Sequence, residues 1–141
     1  MASLATYGDV VEEVRAELLE RLHAAEAAGL PRWHIISDPG IGFAKTAEHN
    51  LALLGRLDRF GLESLGYPML LGVSRKSFIG HVLGGAPPRE RVWGTAAACA
   101  LGIPHADILR VHDVREMREV AAVADAITRR APVHAEGGGT S

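Results

Sequence analysis

Apolar residues along this chain recur with two different spacings. From Asp9 to Ala28, DVVEEVRAELLERLHAAEAA sets Val10, Val14, Leu18 and Leu22 four residues apart. That spacing lays one apolar stripe along a helix, with Asp9 to cap its start and Gly29 followed by Pro31 to end it. AEHNLALLGRLDRF repeats the helical spacing through Leu51, Leu54 and Leu57, and an amphipathic pattern returns from Arg115 to about Arg129. Between them lie three short apolar runs, WHIIS, PMLLGV and ADILRV, which read as strands starting near residues 33, 69 and 107. RKSFIGHVLG starts another helix, GAPPRER is a loop, and VWGTAAACALGI packs as a small-residue helix.

The predicted order is α-β-α-β-α-α-β-α. Strands separated by helices imply right-handed crossovers and a parallel sheet. Continuous apolar strands imply a sheet covered on both faces. The fold expected is therefore α/β, with about three parallel strands and flanking helices. One domain over residues 1–131 is expected, and the tail at 132–141 has the turn-rich composition of a disordered segment.

Composition narrows the picture. With 48% hydrophobic and 23% charged residues, the chain is ordinary for a globular protein. A net charge of -2 gives no footprint for nucleic acid or for an anionic membrane. No apolar run approaches the roughly 18 residues of a membrane span. The single Cys99 excludes an internal disulfide and suits a reducing compartment, so a cytoplasmic protein is expected. Within GTAAACALG, Cys99 reads as a small core residue rather than a nucleophile.

All three strands deliver polar residues at their C-terminal ends: Asp38 after WHIIS, Ser74-Arg75-Lys76 after LLGV, and Arg110 with His112 closing ADILRVHD. In parallel α/β architectures those ends share one side, where ligands bind. GFAKT is not a phosphate-binding P-loop, because Pro39 and Ala44 stand where that motif needs glycine. Gly40 and Gly42 instead allow a tight turn close to a ligand. Asp38 either caps that turn or accepts paired hydrogen bonds from a flat heterocycle. Phe43 is either a wall for an aromatic ligand or a core residue.

Arg75 and Lys76 are expected in the first turn of a helix, where the helix end already carries partial positive charge. Such a conflict marks function. Lys76 with the hydroxyls of Ser74 and Ser77 suits an anion or a carbonyl-rich ligand, whereas Arg75 is expected to turn toward a neighbouring carboxylate. Arg110 and His112 fall on one side of their strand, with Val111 on the other. The guanidinium can stack on a ring or clamp a phosphate, and His112 can donate to the same anion or shuttle a proton. The other histidines have no ligand spacing for zinc, so no all-protein metal site is expected.

DPGIGFAKT…HN, GVSRKSFIG and ADILRVHDV, in this order and at these separations, closely resemble the C-terminal half of the dihydropteroate synthase family. RVWGTAAACAL is similar to that family's segment between its last two strands, and the resemblance runs from about Tyr7 to Ile127. It implies a partial (β/α)8 TIM-type barrel. It implies condensation of a 6-hydroxymethyl-dihydropterin diphosphate with p-aminobenzoate, giving dihydropteroate and pyrophosphate for folate. Lys76, Arg110 and His112 are the catalytic residues it implies. Asp38 would bind the pterin's amino-pyrimidine edge, Lys76 the pterin and the second substrate, and Arg110 the pterin ring. Arg110 with His112 would anchor pyrophosphate, while Phe43 and Ser77 would contact the aminobenzoate ring and carboxylate.

Magnesium is implied as cofactor, with its protein ligand on an N-terminal loop that has no counterpart here. A complete barrel takes ~250 residues, so a partial synthase is expected: a gene fragment or a separately encoded half. Two open sheet edges then imply either a homo-oligomer or pairing with a separate N-terminal half. The alternative is a non-catalytic pterin- or anion-binding remnant. A pterin-dependent methyltransferase barrel shares the fold, but SRKS with RVHDV argues against it.

Overall fold

The computed structural model describes residues 8–43 and 45–129; Ala44 and the tail at 132–141 lie outside the described residues. Helix α1 spans Val10–Ala27, and the Asp9 carboxylate accepts the Glu12 N–H at 3.2 Å, the cap that the sequence predicts. Val10, Val14 and Leu22 of the predicted stripe are buried, and Leu18 packs against the same core.

The first apolar run departs from expectation. Pro31 fixes its own backbone at the mouth of a 3₁₀ turn over Arg32–His34, which carries Trp33 off the strand path and leaves it 79% exposed. What survives of WHIIS as a strand is one parallel bridge, Ser37 to Met69.

Helix α2 spans Ala47–Gly55, where the Thr46 hydroxyl accepts the His49 N–H at 3.1 Å. The helix predicted over 47–60 thus stops at Gly55, and a 3₁₀ turn at Leu57–Arg59 and short α3 at Leu62–Leu65 follow. Gly55 is a poor helix former and ends α2, and Gly61 stands at the N-cap of α3. Then come β1 (Leu70–Leu71), α4 (Ser77–Val82), a 3₁₀ turn at Pro88–Glu90, α5 (Val92–Gly102), β2 (Ile108–Leu109) and α6 (Val114–Thr128).

Strands β1 and β2 pair in parallel, Leu70 opposite Ile108 and Leu71 opposite Leu109. The N–H groups of Ile108 and Arg110 donate to the carbonyls of Met69 and Leu71 at 3.1 and 3.0 Å. Met69, Leu71 and Val73 are fully buried in one cluster with Leu53, Phe60 and Cys99. The opposite face is open: Ile36 is 52% and Ile108 38% exposed. This corrects the expectation of a sheet covered on both faces. The wall is a parallel α/β segment with helices on one side, a partial (β/α)8 TIM-type barrel. Among the described residues, no helix is long and apolar enough to cross a membrane.

Candidate active site

The loop after Ser37 is built by hydrogen bonds to its own backbone. Asp38 Oδ1 accepts the Gly40 N–H at 2.8 Å, so Asp38 does cap the turn. Gly40 and Gly42 adopt φ of +72° and +92°, open to glycine without strain. Buried Asn50, on α2, accepts the Gly42 N–H through Oδ1 at 2.8 Å. The Lys45 ammonium donates to the carbonyls of Gly40 and Phe43 at 2.8 and 3.1 Å.

Both lysines of the chain meet this loop. Lys76 Nζ donates to the Ile41 carbonyl and stands 4.9 Å from the centre of the Phe43 ring. Phe43 is 55% exposed, so it is not a core residue, and its ring lies beside Lys76. Partial burial pulls the Lys76 ammonium below the usual lysine range, Arg110 and Lys45 push the same way, and Asp38 opposes them. Burial likewise lowers Lys45, against the carboxylates of Glu17 and Asp38.

The two cations after β1 do not sit in the first turn of a helix. Helix α4 begins at Ser77, Lys76 is its extended N-cap residue, and Arg75 turns the chain at φ +57°. This left-handed residue is held from several sides. Its N–H donates to Thr95 Oγ1 at 3.0 Å, and its carbonyl accepts from Arg91 Nη1 at 2.7 Å. Its guanidinium pairs with Asp113 at 2.8 Å, the carboxylate partner that its position called for. Strained backbone persists where the surroundings over-determine it. Here the turn swings Lys76 back across the Asp38–Phe43 loop.

Arg110 and His112 share the face that the period of a strand requires. The Arg110 guanidinium lies across Gly72, where a Cβ would come within 2.8 Å of Nη2. His112 is exposed, and its Nδ1 lies 2.7 Å from the buried Ser74 hydroxyl. Asp38, Phe43, Lys76 and Arg110 therefore share one rim, and His112 flanks it through Ser74. Ser77 is the exception: it is exposed at the start of α4, and no hydrogen bond joins its side chain to the other five among the described residues. Asn50, Thr95, Arg91 and Asp113 also shape the rim; each lies within a stretch that carries the family resemblance, but the sequence does not predict their individual contacts, because each acts on a residue outside its own element.

Chemically, Lys76 and Arg110 favour an anion, Asp38 and Phe43 favour a planar hydrogen-bonding ring, and the open face admits both. A magnesium ion does not fit these residues. Among the described residues no group of three or more His, Cys, Asp and Glu side chains converges, and a hard cation needs more oxygen ligands than the single Asp38 carboxylate of this cationic rim.

The model of the family described as "Pterin binding enzyme" matches residues 1–112. Dihydropteroate synthase of Synechocystis is 49% identical over 130 residues, covering 92% of this chain and 44% of that protein. Among solved structures, dihydropteroate synthase from Clostridium difficile in the presence of pteroic acid superposes with a TM-score of 0.83 at 42% identity, over 90% of this chain and 48% of that one. The enzyme from Thermus thermophilus in complex with 4-aminobenzoate gives 0.79 at 46% identity, over 87% of this chain and 49% of that one. The chain spans about half the length of these three relatives.

Proposed function

The chain belongs to the pterin binding enzyme family, and we propose that it supplies the pterin- and pyrophosphate-binding half of a dihydropteroate synthase. The observation that carries this reading is the convergence of Asp38, Lys76 and Arg110 on one open strand-end rim beside Phe43. Asp38 would accept hydrogen bonds from the amino-pyrimidine edge through the carboxylate that already anchors Gly40. Arg110 would cover the pterin ring, and with His112 it would hold the diphosphate. Lys76 would contact the pterin and face p-aminobenzoate, with Phe43 against its ring and Ser77 toward its carboxylate.

In the reaction, the bond between the pterin methylene and the diphosphate oxygen breaks, and the electron pair leaves with pyrophosphate. The arylamine nitrogen then forms the new bond and loses a proton, which pyrophosphate can accept. Lys76, Arg110 and His112 stabilise the departing charge by preorganised electrostatics. Magnesium, in this reading, takes its protein ligand from residues outside this chain.

Turnover is proposed to need completion of the barrel, since Ile36 and Ile108 expose apolar side chains on the open face. An N-terminal half or a second copy would supply it. Exposed Trp93, Leu101, Val123 and Ile127 beside an α5–α6 groove of about 670 Å³ favour self-association as well. The reactants are small and soluble, and the reading puts the reaction in the cytoplasm, without nucleic acid or membrane.

The test mixes the chain with pterin diphosphate, p-aminobenzoate and magnesium, with and without an N-terminal half from a related synthase. Dihydropteroate formed in the mixture is the expected result. Pterin or pyrophosphate binding without product in any mixture would leave a non-catalytic binding module, and neither binding nor product would sink the reading.

A further inference from the structure

Ser74 makes two contacts to one residue. Its hydroxyl oxygen accepts the main-chain N–H of His112 at 3.0 Å and lies 2.7 Å from the Nδ1 of the same histidine. A hydroxyl has one hydrogen and two acceptor positions. With one acceptor position taken by the main chain, two arrangements remain. Either the hydroxyl donates to Nδ1, or Nδ1–H donates to the oxygen and the hydroxyl hydrogen is left over.

Ser74 is 7% exposed, and its hydroxyl has no other hydrogen-bond partner among the described residues. A buried donor without an acceptor is costly, so the satisfied arrangement is O–H to Nδ1. The neutral ring then carries its hydrogen on Nε2. The next residue pair along the same two loops, Arg75 and Asp113, closes at 2.8 Å and keeps the loops from sliding apart.

We propose that Ser74 is a positioning residue that fixes neutral His112 as the Nε2–H tautomer, so that the ring presents a donor to an anionic ligand at the strand ends. The tautomer of a histidine is set by what its other nitrogen bonds. Through the nature of the anion, though not through the tautomer, the inference rests on the reading of the site as a pyrophosphate anchor.

The test is long-range ¹H–¹⁵N correlation on the ¹⁵N-labelled chain at a pH where the ring is neutral, with His112 assigned by its loss in His112→Gln. Expected for the wild type is a protonated Nε2 and a bare Nδ1. Ser74→Ala is expected to shift the ring toward Nδ1–H and to weaken pyrophosphate binding about tenfold, or about 1.4 kcal/mol. Ser74→Thr, which keeps the hydroxyl, restores both. Nδ1–H in the wild type overturns the inference even if Ser74→Ala fails to fold, and so does an unchanged tautomer in Ser74→Ala. A bare Nδ1 in a wild-type chain that binds no pyrophosphate upholds the tautomer and removes the pyrophosphate reading instead.

Discussion

The Lys76 side chain runs through the space that a β-carbon on Gly42 would need: its Cδ would stand 2.9 Å from that atom. The two residues belong to different strand-end loops, and the glycine's bare backbone is what lets the lysine cross from one to the other. Lys76 then reaches the Ile41 carbonyl and the Phe43 ring.

Gly42→Ala is therefore expected to act twice. At φ +92° the new side chain is strained wherever it packs, at a cost of about 1–3 kcal/mol, read as a lowered denaturant midpoint. It also displaces Lys76, so under the proposed function affinity for p-aminobenzoate falls to the level of Lys76→Ala. Retained affinity in Gly42→Ala would separate Lys76 from the loop and refute the contact.

Gly72→Ala has a different signature. Its β-carbon would come within 2.8 Å of Arg110 Nη2, the far end of a flexible side chain. Stability is expected to change by under about 1 kcal/mol, while under the proposed function pyrophosphate affinity falls as the guanidinium leaves its position. Calorimetry beside a denaturation curve reads both.

The Arg75–Asp113 pair predicts an acid dependence. The guanidinium hydrogen-bonded to Asp113 holds its carboxyl below the ordinary 3.8. A folded-state pKa below the unfolded one means that the contribution is complete above the ordinary value and disappears as pH falls through the lowered one. Asp113→Asn should melt below the wild type at neutral pH, and the two curves should converge in acid. Parallel melting temperatures across the whole range would rule the linkage out.

Cys99 is fully buried on α5, and burial pushes its thiol up to about 11. A buried thiol at neutral pH supplies little thiolate, the reactive form. The native chain should resist alkylation at pH 7 and take up one equivalent once unfolded in denaturant, as mass spectrometry would show. Rapid native labelling would contradict the packing of α5.

Sequence alone determined what depends on near neighbours. Four-residue spacing in α1 and the Asp9 cap are contacts within a turn or two, and period-two alternation put Arg110 and His112 on one face. The parallel order followed from strands separated by helices, and the placing of Asp38, Lys76 and Arg110 at one edge followed from that order. Tertiary structure alone decided what depends on register across the wall. Ser74 meets His112, and Arg75 meets Asp113, across 38 residues of chain. Those pairs exist only because Leu70 faces Ile108 in a parallel ladder, and a shift of one residue would send each side chain to the other face. The left-handed turn at Arg75 has the same origin: Thr95, Arg91 and Asp113 impose it from distant elements, and nothing in VSRKS announces a positive φ.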